Sequence, residues 1–89
     1  MRAIVTVIGK DRVGIIANVC TLLAQSGVNI LDISQTVLQD YFTMIMLVDT
    51  SDCSLPFVDL TKALKIKGEE QALSIRIQRE DIFEAMHRI

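Results

Sequence analysis

The sequence has no tryptophan, one tyrosine and three phenylalanines, and its nine Lys and Arg residues are outnumbered by eleven Asp and Glu, for a formal charge of −2. Basic stripes and stacking platforms, the devices that hold nucleic acids, are both scarce, so no nucleic-acid partner is expected. One histidine and two cysteines, with no Cys-x-x-Cys spacing, leave almost nothing from which to build a metal site, and neither a metal nor a cofactor is expected. No apolar run approaches the roughly 18 residues of a spanning helix, and Met1-Arg2 leads into a strand-like pattern rather than a signal peptide. The expected setting is the cytoplasm, away from membranes. Internal repeats, linkers and charge blocks are lacking too, so residues 1–89 read as one stand-alone domain.

What is present is apolar. Hydrophobic residues make up 51% of the chain and charged ones 22%, while a chain of 89 residues hides only roughly 60–65% of its unfolded surface on folding. That surplus predicts contact with a second chain. Cys20 reads as a small core residue and Cys53 as a loop thiol.

The branched run at residues 2–8, closed by Gly9, predicts a buried strand. Over residues 13–26, Ile15, Ile16, Val19, Cys20, Leu22 and Leu23 gather on one helical face, and Gly27 stands where a helix C′ glycine belongs. Residues 28–38 and 41–48 read as a hairpin around Gln39-Asp40. Ser54 and Pro56 introduce a second helix whose apolar positions Phe57, Leu60, Ala63 and Leu64 run up to Gly68. Leu73, Ile75 and Ile77 alternate with Ser74, Arg76 and Gln78 as a strand with one wet face. Ile82, Phe83, Met86 and Ile89 line one side of a short C-terminal helix. The order β-α-β-β-α-β predicts an α+β, ferredoxin-like fold with an antiparallel sheet in the order 4-1-3-2, both long helices on one face, and an extra C-terminal helix. The two middle strands are apolar on both sides. Their far side is expected to be covered by a partner subunit, the C-terminal helix, or both.

The candidate site is the loop "GKDRVGI", from Gly9, Lys10, Asp11, Arg12, Val13 and Gly14 to Ile15. Free amides at a helix start, together with the positive end of its dipole, make a seat for a carboxylate or phosphate, and Gly14 lets a ligand approach the backbone. Phosphate-loop and dinucleotide motifs are absent, because Ile15-Ile16 follows the last glycine where Lys-Ser/Thr would have to stand. Asp11 reads either as the helix N-cap or as the acceptor for an ammonium group. Asn29, with Ile30 behind it, opens the second strand with a polar side chain.

"DRVGIIANVCTLLAQSGVNILDIS" resembles the signature of ACT domains, with Asp11 opening the first helix and Gly27-Val28-Asn29-Ile30 the second strand. "GKDRVGI", "NILDISQT" and "IFEAMHRI" resemble the small stand-alone members of that family, and the likeness spans the chain. It departs at Val13, where the family usually has proline, and at Gly9, where some serine-binding members carry histidine. The resemblance implies a regulatory module that senses an amino acid at a homodimer interface and acts on a separate partner protein, with Asp11, Gly14, Ile15 and Asn29 lining the seat. A ligand-independent interaction module is the alternative. An acylphosphatase-like enzyme using Arg12 and Asn29 is disfavoured, because Arg12 precedes the helix amides, and no catalytic residue is assigned.

Overall fold

The computed structural model describes residues 1–10 and 13–81. It contains β1 (Arg2–Lys10), α1 (Ile15–Gln25), β2 (Asn29–Leu38), β3 (Tyr41–Asp49), α2 (Phe57–Glu70) and β4 (Leu73–Arg79). The strands form one antiparallel sheet in the order β2-β3-β1-β4, the expected ferredoxin-like arrangement. Residues 11, 12 and 82–89 lie outside the described residues, and with them the side chains of Asp11 and Arg12, the expected C-terminal helix and His87.

Alternation along the strands decides the layering. Ala3, Val5 and Val7 of β1 pair with Val48, Met46 and Met44 of β3, and all six are fully buried beneath the helices. Val5 and Val7 pair on their other side with Ile77 and Ile75 of β4. The helices close this layer with Ile15, Val19 and Leu23 from α1 and Leu60 and Leu64 from α2. Met44 and Met46 are thus core residues, as flexible fillers often are. Ile16 is not: it remains 37% exposed, because α1 turns only a narrow stripe toward the sheet. Cys53, expected as a mere loop thiol, packs against the core. Cys20 is half-buried, and both thiols are free.

The end of α1 follows from one glycine. Gly27 takes φ +80°, its N–H donates to the Ala24 carbonyl at 3.0 Å, and the Val28 N–H donates to the Leu23 carbonyl at 2.9 Å. This pair of bonds is the Schellman motif, and Leu23 and Val28 supply its apolar clasp. Gly68 behaves differently. It was expected to stop α2, yet the helix continues to Glu70 and Gly68 is buried within it. A methyl group there would stand 2.8 Å from the Leu73 carbonyl oxygen, so the glycine admits the backbone of β4 against the helix.

Gly9 also lies inside an element rather than at its edge, since β1 runs on to Lys10. A Cβ on Gly9 would collide with the Leu73 side chain. β2 departs from regular pairing between Ile30 and Asp32, where Leu31 is surplus to the ladder. This bulge puts Ile30 and Ile33 on the helix side and Asp32 on the opposite side, opposite Val48, Met46 and Leu47 respectively.

Candidate functional site

β1 delivers the loop to one end of the sheet. Gly9 and Lys10 sit opposite Phe42 and Tyr41 of β3, and α1 begins five residues after Lys10. Its N-cap is Gly14, with φ 90° and ψ 0° and no side chain to cap the helix. Asp11, expected either as the N-cap or as the acceptor for an ammonium group, lies outside the described residues. No acidic residue stands in the first turn. Among the described residues, the Asn18 N–H donates to the Gly14 carbonyl at 2.9 Å, and the amides of Ile15, Ile16 and Ala17 lie in the first turn of α1. Val13 is fully exposed beside them, whereas the Ile15 side chain is buried. Ile15 can offer a ligand its backbone and nothing else.

Asn29 and Ile30 lie elsewhere. Asn29 pairs with Asp49, which pairs with Arg2 at the start of β1. Eight strand steps separate Arg2 from Lys10, about 26 Å at 3.3 Å each. Within one chain the Asn29 end and the Gly14 end are opposite ends of the sheet. Asn29 is exposed and Ile30 half-buried against the core.

The Asn29 end has its own polar cluster, which the sequence reading did not single out. Asp49 Oδ1 accepts from the Ser51 hydroxyl at 2.6 Å, from the Ser51 N–H at 2.9 Å and from the Met1 amino group at 3.5 Å. The Ser51 hydroxyl and backbone, ahead of the amino group, hold the carboxyl below its usual value. The Ser51 contacts, two residues away, belong to a local Asp-Thr-Ser turn signal; only the Met1 contact, across 48 residues, leaves no local pattern.

Two further features bear on function. Along β2 the helix-side residues Ile33 and Val37 remain 41% and 51% exposed, because α1 reaches over only the start of that strand. Separately, a hollow of about 640 Å³ runs along the β4 edge beside α2, lined by Thr61, Lys65 and Glu69 and by residues of both faces of β4, Arg76 among them; no candidate residue lines it. Among the described residues no group of His, Cys, Asp and Glu could hold a metal, and no helix is long and apolar enough to cross a membrane.

Residues 2–78 match the family model of the ACT domain. The chain belongs to the ACT-domain family. It is 57% identical over its full length to a UPF0237 protein of Clostridium acetobutylicum, also covered in full. A UPF0237 protein of Methanocaldococcus jannaschii is 50% identical over 99% of this chain and 98% of its own. Among solved structures, an ACT domain protein from Streptococcus pneumoniae superposes with a TM-score of 0.83 at 47% identity, covering 98% of both chains. A putative glycine cleavage system transcriptional repressor superposes at 0.72 with 26% identity, over 86% of this chain and 44% of its own. ACT domains are regulatory rather than catalytic modules.

Proposed function

We propose that this ACT domain forms a cytoplasmic homodimer, binds an amino acid at two equivalent seats, and passes the bound state to a separate partner protein. The observation that carries the reading is the separation of the two half-sites. The start of α1 with Gly14 stands at one end of the sheet and Asn29 at the other. A second copy running antiparallel along β2 would bring the Asn29 end of each chain to the Gly14 end of its neighbour, closing two seats at once. The exposed Ile33 and Val37 supply the apolar contact along that edge. The zwitterion's carboxylate would take the amides of Ile15 to Ala17, with Lys10 adding positive potential; Asp11 would take the ammonium group, and Asn29 of the neighbour would complete the shell. Val13, Ile30 and Arg12 frame the opening. Regulation then needs no chemistry, only a ligand that binds the ordered pairing better than the loose one.

A thermal-shift screen against the common amino acids tests this. At 100 times the dissociation constant a true ligand adds about 2.7 kcal/mol of stability. Asn29→Ala, at an exposed position, should keep the fold and lose most of that gain. No shift with any amino acid would refute the sensing role. The same exposed β2 residues would then favour the alternative, a protein-interaction module indifferent to small ligands, recognised by partner capture that added metabolites do not alter.

A further inference from the structure

The side of the sheet facing away from the helices has a definite layout. Its centre is aliphatic: Ile4 and Ile8 of β1 beside Leu47 and Thr43 of β3, with Thr6 beside Ile45. Ile8 and Ile45 are 46% and 42% exposed. Its two margins are polar and differ in sign. On the β4 margin Ser74, Arg76 and Gln78 flank Ile8, Thr6 and Ile4; on the β2 margin Asp32, Ser34 and Thr36 flank Leu47, Ile45 and Thr43.

Of the other charges on this side, Lys10 stands exposed at the loop end of β1, and the rest are already engaged. Arg2 pairs with Glu80 at 3.0 Å, and Asp49 is held by Ser51 and the Met1 amino group. Arg76 and Asp32 have no ion-pair partner among the described residues. A cationic margin, an aliphatic centre and an anionic margin complement themselves when a copy is laid face to face and turned about an axis parallel to the strands. That operation sets β4 of each chain over β2 of the other and β1 over β3. Arg76 then stands over the partner's Ser34, one row or about 7 Å from the partner's Asp32, within reach of its long side chain. Turning about the perpendicular axis would instead set β4 over β4 and bring two Arg76 side chains together.

The size is adequate. Four strands at about 4.8 Å spacing and nine residues at about 3.3 Å rise give a face of about 550 Å² per copy. The two faces together meet the roughly 1,000 Å² expected of a specific interface.

We propose that this face packs on the same face of a second copy, with Arg76 paired to the partner's Asp32. The proposal does not depend on the amino-acid seat, which uses the loop before α1 and the β2 edge. Where both interfaces form, the assembly is a pair of pairs.

Molar mass from light scattering behind gel filtration tests it, with circular dichroism to confirm folding. Arg76→Glu and Asp32→Arg each place like charges at the margins and should halve the mass; the double reversal should restore it. Arg76 stands on the strand farthest from β2, so its reversal leaves a β2-edge dimer and its ligand response intact, which separates failure here from failure of the sensing role. Ile45→Glu, at an exposed position, should also halve the mass. Single reversals at unchanged mass, or a double reversal that does not recover it, would overturn the proposal, whether the face is then covered by residues 82–89 or by another protein.

Discussion

Gly68 shows how one residue type serves two ends. In a helix interior alanine is the better former by about 1 kcal/mol, yet here its methyl group would meet the Leu73 carbonyl oxygen at 2.8 Å and Ile75 Cγ1 at 3.0 Å. A carbonyl fixed in a strand cannot swing aside, so crowding outweighs propensity. Gly68→Ala should destabilise the protein by about 1–3 kcal/mol, read as a fall in melting temperature of about 4–8 °C per kcal/mol. The two uses explain what could be read in advance. Gly27, which follows an apolar helical stripe and precedes "VNI", is a stop signal and behaves as one; Gly68 carries the same letter in a similar place, but its reason lies in β4, five residues and one chain reversal away.

The strands were legible wherever burial alternates. β1, β3 and β4 bury every second residue, as period two demands, and the sheet order follows once the element order is known. β2 was less legible, because only its first turn of residues reaches the core and its side chains from Leu31 to Leu38 are all exposed. Nothing in "NILDIS" marks Leu31 as surplus; no glycine betrays the bulge. Its polar run of Asp32, Ser34, Gln35 and Thr36 fits a wet edge and an interface equally well, and exposure alone does not separate them. Val37→Glu separates them. On a side chain already 51% exposed the change should cost stability no more than about 0.5 kcal/mol, while a β2-edge dimer should dissociate and the amino-acid thermal shift disappear with it.

For the molecule as a whole, the sheet's two ends do different work. The end that holds Arg2, Asn29 and Asp49 is tied by a carboxylate held below its usual pKa, chiefly by Ser51. Because the folded-state value lies below the unfolded one, its stabilisation is present above the ordinary carboxylate range and lost as pH falls through the folded value. Urea midpoints of the wild type and Asp49→Asn should therefore differ modestly at pH 7 and converge below about pH 4. The topology was readable from element order, but the distance between the loop and Asn29 was not, since sequence proximity of "GKDRVG" and "GVN" hides the fact that α1 carries the chain from one end of the sheet to the other. That geometry has a genetic reading. In the proposed dimer, two defective chains, one altered at Gly14 and the other at Asn29, would complement when mixed: every mixed pair would hold one sound seat and one doubly damaged seat, and the proposed response to an amino acid would return although neither parent protein has it.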